Sequence, residues 1–148
     1  MTHENEMSHN FDSLRGCTRS ELIAEHIEHG VTFRIYKNRI FHVSIPKDMK
    51  IGKTVIECGY RFLDLHGAGR FYNLYEFDSF ADVEPEVREW AADTSGNNYT
   101  YCDAIVIRNL AQKIMADFYI KVNKPKMPTK IFYSKDKAIE WILKFQKA

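Results

Sequence analysis

The segment YCDAIVI, from Tyr101 to Ile107, is the stretch that decides the class of fold. It ends in a continuous apolar run rich in β-branched residues, which is typical of a strand buried on both faces of a parallel sheet. Asn109 follows almost at once, and asparagine is a residue type that caps helices, so a helix is expected to begin there. A strand that leads directly into a helix is the repeating unit of an α/β protein.

The helix that follows Asn109 has a clear periodicity. Its predicted buried stripe consists of Ala111, Met115, Phe118 and Val122. Its predicted exposed side carries charged residues four positions apart, namely Lys113, Asp117 and Lys121. Pro125 and Pro128 end this helix, because proline cannot continue the backbone hydrogen bonds.

Outward from this unit, the pattern predicts further strands and helices in alternation. VTFRIY (31–36) and IFHVSI (40–45) form a predicted hairpin, with Asn38 in a left-handed turn position. Further elements are a helix over 52–66 ended by Gly67, a strand over 71–77, a helix from Pro85, a strand over 130–133 and a last helix capped by Ser134. The expected fold is α/β, a hairpin followed by βαβ units, with a mixed, mainly parallel sheet of about five strands and about four helices.

Length and composition indicate one domain. The 148 residues are within the usual size of a single domain, and an apolar fraction of 45% exceeds that of a disordered chain. We expect the domain to span residues 31–148, after a polar N-terminal extension over residues 1–30. No apolar run approaches the roughly 18 residues of a membrane span and the start is not a signal peptide, so a cytoplasmic location is expected. Cys17, Cys58 and Cys102 have no motif spacing and are predicted to be reduced thiols.

Charge is concentrated at the C-terminal end. Residues 121–148 contain 8 lysines and 2 acidic residues, although the net charge of the whole chain is only +1. Such a patch could meet an acidic partner, lipid headgroups or nucleic acid. The patch lacks arginine, the residue preferred for phosphate recognition, so we interpret it as a solvated face and do not expect a nucleic-acid partner.

Four stretches carry a resemblance to a known family: NLAQKI (109–114), FYIKVNKP (118–125), PTKIF (128–132) and AIEWI (138–142). They resemble a bacterial family of small uncharacterised proteins with the SpoIIAA-like fold, also described as STAS-like or Sec14-like. The resemblance is strongest over the last 40 residues or so and extends loosely back to Val31. It implies a regulatory or protein-interaction domain rather than a reaction. In the wider group a serine that starts the helix after the third strand is phosphorylated; here residues 83–86 have no hydroxyl, and Ser79 comes several residues too early.

Topology gives the candidate binding residues. Open α/β sheets bind ligands beyond the carboxyl ends of their parallel strands. In this chain those ends carry Phe77, Asp78, Ser79, Phe80, Arg108, Asn109 and Lys135. Arg108 beside a helix N-terminus is suited to an anionic group, or alternatively to a salt bridge with Asp78 or Glu76.

No motif in the chain indicates catalysis or a cofactor. There is no G-x-S-x-G motif with a base partner, and the Gly67–Gly69 segment runs from helix into strand, opposite to a phosphate loop. His26 and His29, three residues apart, could lie on one helical face as metal ligands, but no further histidine or carboxylate at a suitable spacing completes a set. No metal, cofactor or enzymatic activity is therefore expected. The favoured function is therefore a non-enzymatic regulatory or interaction domain that works with a protein partner or as a homodimer. The alternative is a carrier or sensor of a small apolar or anionic, lipid-like ligand, which the aromatic segment FYNLYEF (71–77) motivates.

Overall fold

The computed structural model describes residues 17–67, 69–94 and 99–148, and it has an α/β architecture. The strands are Leu22–Glu28 (β1), Val31–Tyr36 (β2), Ile40–Ile45 (β3), Lys50–Ile51 (β4), Phe71–Phe77 (β5), Asp82–Val83 (β6), Thr100–Val106 (β7) and Thr129–Phe132 (β8). The helices are Lys53–Gly67 (α1), Pro85–Thr94 (α2), Leu110–Phe118 (α3) and Lys135–Lys147 (α4). A short 3₁₀ turn, Arg19–Glu21, precedes β1, and a π-helical turn, Tyr119–Asn123, continues α3. None of these helices is long and apolar enough to cross a membrane.

Six strands form one mixed sheet in the order β1-β2-β3-β5-β7-β8. The first three are antiparallel neighbours, whereas β3, β5, β7 and β8 run parallel to one another. The short strands β4 and β6 form a separate parallel pair. The predicted α/β class, mixed sheet and four helices are confirmed, but the sheet has six strands instead of about five.

The additional strand is β1, which lies within the predicted N-terminal extension. It pairs with β2 along the outer edge of the sheet, where Arg34 Nε contacts Glu25 Oε2 at 2.7 Å. Residues 1–16 of that extension lie outside the described part of the chain.

The two faces of the main sheet bury different hydrophobic clusters. On one face, Phe33, Phe41 and Phe71 pack with residues of α1 such as Phe62. On the other face, the buried residues come from the alternate strand positions and from α4: Tyr36, Ile40, Leu74, Cys102, Ala104, Val106, Ala138, Ile139 and Ile142. This alternation is the expected consequence of a strand buried on both sides.

The buried side of α3 differs from the predicted one. Ala111, Phe118 and Val122 are exposed, and the buried positions are instead Gln112, Ala116 and Tyr119. The prediction was wrong because it took only apolar residues for the buried side, whereas the polar side chain of Gln112 is buried and hydrogen-bonded. As a result, the apolar residues Leu110, Ile114 and Phe118 face outward, at 70%, 58% and 48% exposure.

The hairpin turn between β2 and β3 also differs in detail. The left-handed residue is Arg39, with φ of 67°, and not Asn38. The Arg39 guanidinium donates to the carbonyl oxygens of Arg70 and Gly67 and lies 4.1 Å from the centroid of the Phe71 ring. These contacts hold a conformation that is unfavourable for most side chains.

Candidate functional site

Charged side chains meet at the carboxyl ends of β5 and β7, as the topology predicted. Arg108 follows β7, and its guanidinium lies 3.6 Å from Asp78 Oδ1 and 3.9 Å from Glu76 Oε2. The salt-bridge alternative for Arg108 is therefore the arrangement found. Lys135, at the start of α4, lines the same surface pocket as Glu76 and Arg108.

A buried histidine, His42, contacts the Glu76 carboxylate of this cluster. His42 on β3 has Nε2 2.8 Å from Glu76 Oε1, and burial lowers the pKa of the ring while Glu76 opposes that effect. We therefore assign a neutral ring that donates from Nε2. Burial by itself raises the pKa of Glu76, but the hydrogen bond from His42 and the positive charges of Lys135 and Arg108 outweigh it and hold the pKa below the usual value of a glutamate. Glu76 is ionised throughout the physiological range.

This arrangement is not a catalytic triad. Ser44 Oγ lies 3.3 Å from His42 Nε2, the same nitrogen that contacts Glu76. A triad needs the serine and the carboxylate on opposite ring nitrogens, so that one orients the base and the other loses a proton to it. His42 Nδ1 has no hydrogen-bond partner among the described residues.

Gln112 joins the carboxyl ends of the strands to the first turn of α3. Its Oε1 accepts hydrogen bonds from the backbone N–H groups of Arg108 at 2.7 Å and Asn109 at 3.3 Å. Its Nε2 donates to the carbonyl oxygens of Asp78 at 2.6 Å and Ala81 at 3.0 Å. The predicted capping residue Asn109 completes the motif, since its Oδ1 accepts from Gln112 N at 3.0 Å. One side chain thus ties two loops together.

The other predicted binding residues do not all join this cluster. Phe77 is half-buried and points to the opposite side of the sheet, where it lines an internal cavity. Phe80 is 64% exposed and has a left-handed φ of 61°. Ser79 donates its N–H to Asp78 Oδ1 and accepts at its carbonyl from Asp48 N, so it has a role in the turn.

The internal cavity lies between the main sheet and helices α1, α2 and α3. It has a volume of about 160 Å³ and is lined mainly by apolar and aromatic side chains. The aromatic residues on its wall are Phe33, Phe41, Tyr60, Tyr75, Phe77, Trp90 and Tyr119. Trp90 is 39% exposed, which places it where the cavity meets the surface. The sequence pattern did not predict this cavity.

A buried carboxyl group lies on the wall of the cavity. Asp103, at the middle of β7, is 5% exposed and lies opposite Asn73 of β5 in the strand register. Asn73 Nδ2 donates to Asp103 Oδ1 at 2.9 Å and to Thr100 Oγ1 at 3.0 Å. Burial raises the pKa of Asp103 to about 6, although the hydrogen bond from Asn73 acts in the opposite direction.

The cysteines and the histidine cluster offer weaker chemistry. All three cysteines are buried with free thiols, and burial raises the pKa of Cys17 and of Cys102 to about 12, which disfavours the reactive thiolate. Glu28, His29 and Cys58 each place a ligand atom within 4.8 Å of the others. However, Arg61 Nη2 lies 3.2 Å from Cys58 Sγ and 3.6 Å from Glu28 Oε2, so two of the three groups already have a positively charged partner.

Comparison with known proteins identifies the family. Residues 26–146 match the model of a family described as a domain of unknown function, DUF7793. The chain belongs to this family. The matched part of the DUF7793 domain extends from β1 to the end of α4, and it includes both the charged cluster and the cavity. No curated protein and no solved structure matches the chain.

Proposed function

We propose that this chain is a non-enzymatic carrier or sensor that binds a small, mainly apolar molecule in the cavity between the sheet and α1, α2 and α3. The observation that supports this proposal is the cavity itself. Protein interiors are normally packed to the density of organic crystals, with few voids larger than a water molecule. A space of about 160 Å³ that aromatic side chains line is therefore a site for a ligand.

The size of the cavity indicates the size of the ligand. An apolar protein cavity of about 150 Å³ stays dry and binds benzene, and the cavity of this chain has about 160 Å³. A single aromatic ring or a branched chain of similar volume therefore fits. Trp90 of α2 is half-exposed on the wall of the cavity, so it marks the side from which a ligand would enter.

The test uses three single-ring probes, ethylbenzene, benzyl alcohol and benzylamine. Binding of each probe to the full chain is measured by NMR chemical-shift titration. Ala116 lines the cavity from α3, so Ala116→Leu fills part of the space and is expected to weaken binding of every probe. Ala111 is exposed on the same helix, so Ala111→Leu is the matched control and leaves binding unchanged. The proposal fails if no probe binds, or if the two variants bind alike. Native mass spectrometry of the purified chain shows in parallel whether a small molecule is retained.

A second candidate function is an interaction domain that acts through the outer face of α3. Leu110, Ile114 and Phe118 are spaced four residues apart and form an exposed apolar stripe. This face suits a homodimer, and the resemblance to SpoIIAA-like regulatory domains supports the same idea. Sedimentation of the wild-type chain and of Ile114→Lys tests it. Glu140→Lys, at an exposed position of α4, is the control. A wild-type dimer that Ile114→Lys dissociates and Glu140→Lys does not supports this function. A wild-type monomer counts against it.

A further inference from the structure

The cavity contains one chemical feature that a purely apolar ligand leaves unsatisfied. Asp103 is almost fully buried, and its carboxyl group lies among the apolar and aromatic side chains of the wall. No positive charge from the described residues contributes to its pKa, which burial and the Asn73 hydrogen bond determine. Burying an ionised carboxylate without a cation is costly, so the cavity wall contains a group that favours a positive partner.

Among the described residues, Arg88 is the one cation on the cavity wall, and it contacts other groups. Arg88 of α2 donates from Nη1 to the Val83 carbonyl oxygen at 2.6 Å and lies 3.6 Å from Asp82 Oδ1. Its guanidinium is therefore paired with groups of β6. Asp103 is on β7, between β5 and β8 in the sheet, and Arg88 is not among the causes of its pKa shift.

Three tyrosines on the cavity wall are close enough to Asp103 for its charge to affect them. Tyr60 of α1, Tyr75 of β5 and Tyr119 beyond α3 all line the cavity, and the Asp103 charge contributes to the raised pKa of each phenol. Burial is the larger cause of these increases, and it keeps the phenols neutral at physiological pH. The faces of such rings attract organic cations, and the attraction is strongest where water is excluded.

We infer that the ligand of this cavity is a small organic ammonium compound whose apolar body fills the space and whose charged nitrogen contacts the Asp103 carboxylate. This inference rests on the proposed binding function and names the class of ligand. An anionic ligand is disfavoured because it would meet Asp103 as a like charge. A hydrocarbon fits the volume but leaves the carboxylate without a partner.

The three probes separate this inference from the proposed function. Ethylbenzene and benzylamine have nearly the same shape, but only benzylamine carries a positive charge, and benzyl alcohol is a neutral hydrogen-bond donor. At pH 7.5 the full chain is expected to bind benzylamine most tightly. Hydrogen bonds to charged groups contribute enough free energy for a preference over ethylbenzene of roughly tenfold to a hundredfold.

Asp103→Asn removes the charge but retains an oxygen that can accept from Asn73 Nδ2. We expect it to abolish the preference for benzylamine while ethylbenzene binds as well as before or better. Asp93→Asn is the matched control, because Asp93 is exposed on α2 and does not line the cavity, and it leaves the preference unchanged.

Acid provides an independent readout. Benzylamine affinity is expected to fall as the pH drops through about 6, the pKa of Asp103, whereas ethylbenzene affinity does not fall. The facing groups, Asn73 and Tyr75 on β5, Tyr60 on α1 and Tyr119 beyond α3, do not titrate in this range, since the phenol pKa values are raised. If ethylbenzene binds as tightly as benzylamine, or if Asp103→Asn does not change the ranking, the ammonium ligand is ruled out and the apolar binding function stands. If none of the probes binds, both proposals fail.

Discussion

Asp103→Asn should also change how the free energy of unfolding of the protein, measured without a probe, depends on pH. Burial raises the pKa of Asp103 from 3.8 to about 6 in the folded state. Folding therefore favours the protonated carboxyl group, in contrast to the usual aspartate, whose pKa is lowered by a partner. The cost of ionising Asp103 in the fold is absent below the unfolded pKa, grows as the pH rises through the interval between the two values, and is complete above about 6.

The magnitude follows from the difference between the two pKa values. At pH 7.5 the ionised side chain reduces the free energy of unfolding by about 3 kcal/mol, and at pH 4 by less than about 1 kcal/mol. Asparagine cannot ionise, so the stability of Asp103→Asn relative to wild type should be about 2 kcal/mol more favourable at pH 7.5 than at pH 4. Any fixed cost of placing the introduced amide in the cavity is the same at both pH values and cancels.

Urea denaturation of both proteins between pH 4 and pH 8 measures this difference directly. Titration of all other groups is common to the two chains, so only the difference between their pH profiles is interpreted. The profiles are expected to diverge with rising pH between about 4 and 6 and to run parallel above. Parallel profiles over the whole range would refute a raised pKa for Asp103, and a divergence in the opposite direction would indicate that a cation stabilises its charge.

Three further substitutions test other parts of the structure. Glu76→Gln should lower the free energy of unfolding by about 1–3 kcal/mol above pH 5. This loss should shrink toward pH 2, because a carboxylate whose folded pKa is lowered stabilises the fold only where it is ionised. Urea denaturation at several pH values measures both effects. Gln112→Ala should cost about 2–4 kcal/mol, since it removes four hydrogen bonds to backbone groups, whereas Lys113→Ala on the outer side of α3 should cost far less in the same assay. Phe80→Gly should raise the melting temperature, with a gain of about 1 kcal/mol, because Phe80 holds a left-handed φ; Ser79→Gly, where φ is not positive, should lower it.

Most elements of the fold could be predicted because their signals are local. Hydrophobic alternation gave β2 and β3, and a capping residue with a helical period gave α3 and α4. β1 was missed because LIAEHIE is an edge strand in which apolar and polar residues occur on both sides, so its pattern does not alternate. Ile23 and Ile27 are exposed, whereas Leu22 and Ala24 are half-buried. β4 and β6 have two residues each, too few for any period to be visible.

The charged cluster was predictable and the cavity was not, for a physical reason. Arg108 and Asp78 follow strands that run parallel, so topology alone brings them to one edge of the sheet. The cavity depends on how three helices pack against the same face, and no short stretch of sequence encodes that packing. One signal was nevertheless present: Asp103 interrupts the apolar strand YCDAIVI, and a carboxyl group in such a strand is either paired or functional.

Gln112 makes the interior and the outer edge of the sheet mechanically dependent on each other. Its side chain lines the cavity and also holds the loops that present Asp78 and Arg108. A displacement of α3 that widens the cavity therefore has to stretch or break hydrogen bonds that shape the charged surface. Binding of a ligand in the cavity would consequently change the position of Arg108 on the surface.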